Sequence, residues 1–509
     1  MGLFFLCIKI CKFFYMNFKI ILLSLFCFVF SNPVNYNLSL VSITMYENDN
    51  NNFGISDVWG YTDETGVEYA IFGYQYGSII LDVSTNPNNP IEVFNLLGPS
   101  NSDYYYHRDY KVYGDFLYIV NEMTGSDVGM QVVDLSPLPY NNPNYVTTYQ
   151  NINQSHNLWI DNNGLAFIEH VGGDNIHIVN LSNPSNPVYE NTFGNLGSGC
   201  HDIFTQNNLA YVSEGWNSSF SIYDISNLDN INLITSIFPQ AGGYAHNAWV
   251  TTNDDILVTT EETVGKTIKV WDISDLQNIE LKGEYLGENM LAHNVHIKEN
   301  LVYISHYTTG IKIIDIYNPN DPIEVAAYDT YINNNNSTFH GCWGVYPFTH
   351  NNYIYASDMQ YGLFVFEFDN INAGWLNINV LTENNSSEGY LKSHLNDKIF
   401  YMQNHNFYFG FPSGLQVFDY IIDDIVIQTV EFDIQEHVVN EFILSLPQNY
   451  QLGDINFDGA VSILDIIMLI NAVLGNELNQ LEFDAADINQ DFILNVLDII
   501  EMVNIILNN

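Results

Sequence analysis

Short runs of apolar and β-branched residues recur along most of the chain, and most of them close on Asp or Asn. Seven copies lie between residues 35 and 369: SIILDVS, MQVVDLS, IHIVNLS, FSIYDIS, IKVWDIS, IKIIDIY and LFVFEFD. Their spacing of 43 to 52 residues is typical of propeller blades, each with room for four short strands. Turn-forming stretches such as DNNG and NPSNP separate the runs. The pattern therefore predicts a seven-bladed β-propeller over residues 35–369.

The predicted ring needs one more strand to close. The last repeat offers only the strands GCWGVYPF, YIYASDM and LFVFEF, whereas a spare apolar strand, NLSLVSIT, stands at residues 37–44. An open ring would leave sheet edges unpaired. We therefore expect residues 37–44 to complete the seventh blade.

Several stretches of this region are similar to the LVIVD-repeat propellers, also described as choice-of-anchor B proteins. The stretches are SDVWGY, YHRDYKVYGDFLYIVNE, YAHNAWV, LAHNVHI and WGVYPF. The resemblance implies a secreted propeller and no settled biochemical activity.

Residues 371–446 change character. WLNINVL, KIFYMQ, NFYFGF, LQVFDYII, DIVIQTVEFDI and EFILSL are typical of short strands, without a helical period. They predict a small β-sandwich that serves as a spacer or binding module. The segment is similar to carboxypeptidase regulatory-like modules, which are transthyretin-type folds.

The stretch DINFDGAVSILD places oxygen donors at the spacing of a calcium loop. A glycine at its sixth position, Gly459, allows a sharp turn. A second copy, DINQDFILNVLD, follows, with Phe492 at the sixth position. Each copy leads into an apolar helix. The predicted ligands are Asp454, Asn456, Asp458, Ala460, Ser462 and Asp465 in the first loop, and Asp487, Asn489, Asp491, Ile493, Asn495 and Asp498 in the second.

Duplicated loop–helix units with Asp at the twelfth position are similar to type I dockerins, over residues 452–509. The resemblance implies a fold around two calcium ions and a cohesin module as the partner. In that family the positions just before the last ligand help to set partner choice. Here they are Ile463, Leu464, Val496 and Leu497, which are apolar rather than Ser or Thr.

Charge and the N-terminal segment set the expected partners and compartment. With 12 Lys and Arg against 59 Asp and Glu, the net charge is −47, which argues against nucleic acid and anionic lipid as partners. Lys19 and the apolar stretch 20–30 are typical of a signal peptide, which we assign to residues 1–31, with a permanent anchor as the alternative. We expect an exported protein with no membrane span after cleavage.

Histidines open successive inner strands of the predicted propeller, and an acid or histidine ends the strand that follows. The histidines are His107, His156, His201, His246, His293 and His340. Their partners are Glu122, Glu169, Glu214, Glu261, His306 and Asp358. Antiparallel neighbours place the start of one strand beside the end of the next. We therefore expect each histidine to lie beside the partner in its own blade, forming a belt around the channel mouth.

Two interpretations of this belt stay open. In the structural one, each imidazole is held by its carboxylate and ties one blade to the next. In the functional one, the belt binds a ligand or a transition metal, or a histidine oriented by a glutamate acts as the base in hydrolysis. The sequence contains no nucleophile elbow, HExxH or P-loop motif.

These patterns together predict a mainly β protein: a seven-bladed β-propeller, a small β-sandwich, then a small all-α calcium-binding dockerin module. We expect a secreted, calcium-binding, non-catalytic protein that a cohesin-type partner holds in a cell-surface or polysaccharide-degrading assembly, with the propeller as binding platform. The rival hypothesis is a propeller hydrolase or metalloenzyme that uses the belt and is carried on the same dockerin.

Overall fold

The computed structural model describes most of the chain from residue 35 onward. The described residues are 35–46, 54–98, 107–123, 128–152, 154–169, 175–194, 199–266, 268–287, 291–331, 339–381, 389–422, 424–445, 452–476, 478 and 480–508. The predicted signal peptide, residues 1–31, lies outside them. The chain divides into two compact units, Met1–Ala373 and Gly374–Asn509.

The first unit is a ring of seven four-stranded antiparallel sheets, as the repeat pattern predicts. The first strand of each blade contacts the first strands of the two neighbouring blades, so these seven strands line the axis. The strands are β1 (Ser39–Thr44), β2 (Ile55–Thr62), β3 (Glu68–Tyr74), β4 (Gly77–Asp82), β5 (Ile91–Leu97), β6 (Arg108–Tyr113), β7 (Phe116–Asn121), β8 (Met130–Asp134), β9 (Asn144–Tyr149), β10 (Leu158–Ile160), β11 (Leu165–Glu169), β12 (Ile176–Asn180), β13 (Val188–Phe193), β14 (Asp202–Gln206), β15 (Leu209–Ser213), β16 (Phe220–Asp224), β17 (Asn232–Ile237), β18 (Ala245–Val250), β19 (Ile256–Glu261), β20 (Ile268–Asp272), β21 (Glu280–Tyr285), β22 (Val295–Lys298), β23 (Leu301–Ser305), β24 (Ile311–Asp315), β25 (Ile323–Tyr328), β26 (Cys342–Tyr346), β27 (Tyr353–Asp358) and β28 (Gly362–Glu367).

The ring is closed by the N-terminal strand, which confirms the prediction for residues 37–44. β1 pairs antiparallel with β28, so that the seventh blade has the order β1-β28-β27-β26. One step earlier in the chain, the backbone of Tyr36 pairs with Ala327 of the sixth blade. The N-terminal segment therefore bridges the sixth and seventh blades.

The blades are covered on both faces by their neighbours. β3 and β23 are buried along their whole length, which explains why many strands read as continuous apolar runs rather than as alternating ones. Most fourth strands, which lie at the outer rim, are partly exposed, as β5 is, whereas β25 has no exposed residue.

The second unit begins with two sheets that share one apolar core, which confirms the predicted β-sandwich. β29 pairs in parallel with β35 in the first sheet, and β33 pairs with β30 and β34 in the second. Phe407, Phe418 and Phe432 are among the residues buried between them. The strands are β29 (Ala373–Leu381), β30 (Tyr390–Ser393), β31 (Ile399–Tyr401), β32 (Asn406–Pro412), β33 (Gly414–Ile422), β34 (Ile425–Ile434) and β35 (Val439–Ser445).

Three helices follow: α1 (Ile463–Val473), α2 (Gln480–Ala486) and α3 (Val496–Asn508). α1 begins at a capping box. The Ser462 side chain accepts a hydrogen bond from the backbone of the first turn, and the Asp465 side chain accepts one from the backbone N–H of Ser462. α1 and α3 contact each other, and Leu469 and Met502 are fully buried between the elements of this module. The sequence pattern predicted α1 and α3 but not the short α2 before the second acidic loop. None of the helices among the described residues is long and apolar enough to cross a membrane.

Candidate functional site

The first acidic loop is folded around the carboxylate of its first residue. Asp454 accepts hydrogen bonds from the backbone N–H groups of Asp458 (3.1 Å) and Gly459 (2.8 Å). Its side chain is almost fully buried. The loop backbone therefore wraps around Asp454 and points two N–H groups at it.

The last residue of that loop closes it from α1. One oxygen of the Asp465 carboxylate accepts from the N–H groups of Ile455 (2.8 Å) and Asn456 (3.1 Å). The other accepts from the N–H (2.8 Å) and hydroxyl (3.1 Å) of Ser462. Asp465 is fully buried, so one side chain joins both ends of the loop to the start of the helix.

The second loop repeats this network. Asp487 accepts from the N–H groups of Asp491 (3.2 Å) and Phe492 (2.8 Å). Asp498 accepts at one oxygen from Ile488 (3.1 Å) and at the other from Asn495 (2.9 Å). The two loops thus place their acidic side chains in corresponding positions.

Phe492 does not change the turn of the second loop. Its φ is +64°, in the left-handed region, where Gly459 has +87° in the first loop. A residue with a Cβ atom pays about 1–2 kcal/mol for that conformation, and the Phe492 ring is 85% exposed. The second loop therefore keeps the geometry of the first at a cost in backbone strain.

The donors of both loops suit calcium. Every predicted ligand offers an oxygen, from a carboxylate, an amide, a hydroxyl or a backbone carbonyl, and calcium prefers six to eight oxygens in a flexible cage. Backbone N–H groups orient the buried carboxylates of Asp465 and Asp498 without neutralising them. Residues 452–509 contain no Lys, Arg or His, so a divalent cation is the counter-charge that these loops fit.

Apolar side chains project outward next to both loops. The predicted partner-contacting residues Ile463, Leu464, Val496 and Leu497 are all more than half exposed. The same face of α1 continues with Ile467, which is also half exposed. Apolar residues in such positions cost solubility unless another molecule covers them.

In the propeller, five of the predicted histidines and one tryptophan form a closed ring around the axis, which we call the histidine ring. Successive ring centroids are 3.9 to 5.3 Å apart. The members are, in order, His107, His156, His201, His246, His293 and Trp343. A cavity of about 20 Å³ lies against all six.

His340 does not join this ring, contrary to expectation. It lies in the loop before β26 and stacks on Tyr331, with 6.0 Å between the ring centroids. A register shift between Cys342 and Gly344 re-aims the start of that strand. Trp343 thereby takes the place in the ring that the spacing predicted for His340.

The carboxylates pair differently from the expectation of one partner per blade. His156 bonds Glu122, which belongs to the preceding blade, and not Glu169 of its own blade. Three other predicted partners bond inside their own blades: Glu214 with Ser219, Glu261 with Lys269 and His306 with Thr309. Asp358 instead accepts from Thr330, which follows the last strand of the sixth blade. The inner-strand side chains converge on the axis and meet those of adjacent blades first.

One acid that the sequence pattern did not single out faces the ring. Glu262 follows directly after β19, and its oxygens lie 3.8 Å from His246 Nε2 and 3.9 Å from His293 Nε2. Successive residues of a strand point to opposite faces. Glu262 therefore faces the histidine ring, and the predicted Glu261 faces away from it. Glu261 turns to Lys269 and Glu262 to the axis.

Burial keeps most of these imidazoles neutral. It lowers the pKa of His107 and His293 to about 3. Burial also raises the pKa of Glu262 to about 7. His156 differs: burial opposes its charged form, but the hydrogen bond and charge of Glu122 raise its pKa above the ordinary value. Neutral imidazoles offer a lone pair to a ligand.

A second site lies three residues further along the inner strands, about 10 Å from the histidine ring. It is a cavity of about 510 Å³, which we call the aromatic pocket. Trp159, Phe204, Trp249 and Phe348 line it together with polar loop residues such as Asn162. Trp159 and Trp249 meet edge to face at 5.1 Å between centroids.

The aromatic pocket was missed by the sequence reasoning, although its signal is present. The stretches HNLW, HDIF and HNAW place an aromatic residue three positions after His156, His201 and His246. In a strand, an offset of three residues moves a side chain along the strand by about 10 Å, which separates these aromatic residues from the histidines.

Comparisons with known proteins agree with two of the three resemblances, those to the LVIVD-repeat propellers and to the type I dockerins. Residues 452–507 match the Dockerin type I domain, and residues 199–237 and 291–330 match the LVIVD repeat. None of the curated proteins is similar enough to the chain to count as a match.

Likeness to solved structures concerns the fold alone. The crystal structure of Raptor from Chaetomium thermophilum is 10% identical, with a TM-score of 0.50, over 66% of this chain and 30% of that chain. A functionally unknown protein from Desulfotomaculum acetoxidans DSM 771 is 15% identical, with a TM-score of 0.44, over 58% of this chain and 89% of that chain. This chain thus spans less than a third of Raptor. The family matches establish that the chain carries LVIVD repeats within its propeller and a C-terminal type I dockerin domain.

Proposed function

We propose that this chain is an exported, non-catalytic binding protein that a calcium-held dockerin attaches to a cohesin-type module. The assembly that it joins is at the cell surface or degrades polysaccharides. The propeller is the part that presents a binding surface within that assembly, and calcium is the cofactor of the dockerin.

The observation that carries the proposal is the duplicated loop network beside exposed apolar side chains. Asp465 and Asp498 each join one acidic loop to its helix. Leu464 and Leu497 stand next to these aspartates and are more than half exposed. Calcium that shapes the loops would therefore also set the positions of the apolar contacts.

The propeller's part in the proposal is supported by the aromatic pocket. Concave sites with aromatic walls and a few polar groups are the usual form of ligand pockets. Trp159 and Asn162 exemplify the two kinds of lining residue.

A pull-down with the full chain tests the attachment. The chain is immobilised and offered a panel of purified cohesin modules, in millimolar calcium and in excess chelator. We expect at least one cohesin to bind in calcium and none in chelator. Equal retention of a cohesin in both conditions, or of none in either, would contradict the proposal.

Variants locate the contact. The double variant Leu464→Asp/Leu497→Asp should weaken binding at least about tenfold, because it places charges at the centre of an apolar interface. The matched control is Leu415→Asp, the same change at an exposed leucine of the sandwich. A control that weakens binding as much as the double variant would place the contact elsewhere.

A further inference from the structure

Glu262 and two histidines of the histidine ring bring three donor atoms to one point. Glu262 Oε2 lies 3.8 Å from His246 Nε2, and Glu262 Oε1 lies 3.9 Å from His293 Nε2. All three donor atoms lie within 4.8 Å of one another. Ligands of one metal ion, each about 2.1 Å from it, are about 3.4 Å apart in tetrahedral geometry. The donor atoms therefore need to approach one another by at most about 1.4 Å.

The tautomer of His293 is fixed by its surroundings. Its Nδ1 lies 2.5 Å from the backbone oxygen of Trp343. A carbonyl oxygen only accepts hydrogen bonds, so Nδ1 carries the proton and Nε2 presents a bare lone pair. A backbone carbonyl that holds the far nitrogen of an imidazole is the usual outer support of a metal-bound histidine.

That lone pair is buried without a hydrogen-bond donor. His293 is 1% exposed, and its Nε2 has no partner among the described residues. Leaving a buried acceptor unpaired costs free energy. A bound cation would satisfy it, and the cavity of about 20 Å³ against His246 and His293 has room for one ion or one water.

The carboxylate is also held in place from outside. The hydroxyl of Tyr307 donates to Glu262 Oε1. Tyr307 is fully buried, so this contact fixes which way the carboxylate faces. The set thus has three donors and a support behind two of them.

We propose that His246, Glu262 and His293 bind one divalent transition-metal ion. Two imidazole nitrogens and one carboxylate oxygen are ligands for zinc or iron(II), and not for calcium, which takes oxygens alone. The site is thus chemically distinct from the acidic loops of the dockerin. It is independent of the proposed docking role.

A second cluster in the ring serves as the matched control. His107, Glu122 and His156 also bring donor atoms within 4.8 Å. There, however, His156 Nδ1 bonds Glu122 directly, so the carboxylate and the imidazole already satisfy each other. We expect this cluster to be the weaker binder.

Zinc binding by the full chain tests the proposal. The chain is stripped with chelator, dialysed, and titrated with Zn²⁺ in millimolar Ca²⁺, which occupies the acidic loops. Bound zinc is counted by mass spectrometry after dialysis. We expect one tightly held Zn²⁺ per chain, and a higher melting temperature for the tryptophan-fluorescence transition. No retained zinc, as a cavity that holds only water would give, overturns the proposal.

Variants assign the ion to these ligands. Glu262→Gln and His293→Asn should each remove the tightly held zinc, and Tyr307→Phe should weaken it about tenfold through the lost support. Glu122→Gln should leave it unchanged. Unchanged zinc in Glu262→Gln, or its loss in Glu122→Gln alone, overturns the assignment.

A second readout distinguishes a variant that has lost a metal ligand from one that no longer folds. Each variant is compared with the parent protein by far-UV circular dichroism without metal. Substitution of Co²⁺ for Zn²⁺ then gives a visible absorption band in the parent chain. Tyr307→Phe, the mildest change, should shift that band. A band identical in Tyr307→Phe and the parent would contradict the role of this hydroxyl.

Discussion

Phe492 adopts, at φ +64°, the left-handed backbone position that Gly459 occupies at +87° in the first loop. The two N–H groups donate to corresponding aspartates, Asp487 and Asp454, both at 2.8 Å. The hydrogen-bond network therefore overrides the steric preference of the side chain, and the second loop carries strain that the first does not.

Phe492→Gly should stabilise the dockerin by about 1 kcal/mol, because glycine adopts this conformation without a Cβ clash. The ring is exposed, so little packing is lost. Among the described residues all α-helices belong to residues 463–508, so the helical circular dichroism signal on denaturation reports on this module. Phe492→Ala keeps the Cβ atom and should give no comparable gain. Equal gains from both variants would show that exposure, not backbone strain, is the cause.

Asp465→Asn should loosen the dockerin even without calcium. The carboxylate accepts from the backbone of Ile455, Asn456 and Ser462, and an amide turns one of its two acceptors into a donor. We expect a loss of about 1–3 kcal/mol, read from the helical signal in chelator. Glu501→Gln, an exposed change on α3, removes the same charge. A loss of the same size in that control would point to net charge rather than to the loop network.

Leu38→Ala should destabilise the propeller by about 2–4 kcal/mol. Leu38 is buried next to β1, the strand that closes the ring, and packs in the core shared by the sixth and seventh blades. Leu40→Ala, two residues away and 39% exposed, should cost under about 0.5 kcal/mol. All tryptophans except Trp375 precede residue 373, so tryptophan fluorescence follows this transition. Similar losses in the two variants would mean that β1 does not close the ring by pairing with β28.

Asp358 should make propeller stability fall as pH rises. Burial raises its pKa from 3.8 to about 6, with Thr330 acting in the opposite direction. The folded state therefore holds a proton more tightly than the unfolded state, and stability is lost between about pH 4 and pH 6, by up to about 3 kcal/mol. Asp358→Asn keeps an acceptor for the N–H groups of Gln360 and Tyr361 and removes the titration.

The pH prediction is checked by fluorescence-detected unfolding from pH 4 to 7. The stability of Asp358→Asn relative to the parent chain should rise with pH across this range. Asp82→Asn, a less buried carboxylate in the first blade, serves as the control. Parallel pH profiles for the parent and Asp358→Asn would contradict the expectation.

The sequence predicted the parts of the fold that follow from period and closure. The repeat spacing led to seven blades, and the need to pair the last edge led to β1. Both predictions need only the spacing of the repeats and the number of strands, and both can be read from a sequence. The two loops are similar cases, since Asp454 and Asp487 open the same spacing of oxygen donors.

The sequence pointed to five histidines of the ring at the axis, but it did not predict Trp343 among them or the pairing of the carboxylates. Bulges at Ala245/Asn247 and Cys342/Gly344 shift the register at the start of two inner strands. Such a shift changes the face that a residue presents. It brings Trp343 into the ring instead of His340. Pairing across blades, as between His156 and Glu122, depends on the ring as a whole and not on spacing within one repeat.

Calorimetric titration of the metal-free full chain with Ca²⁺ tests the calcium-held dockerin most directly. We expect two ions per chain, a gain in helical signal on binding, and the loss of both sites in the double variant Asp465→Asn/Asp498→Asn. A chain that binds no calcium, or a double variant that still binds two ions with the parent's affinity, would contradict it.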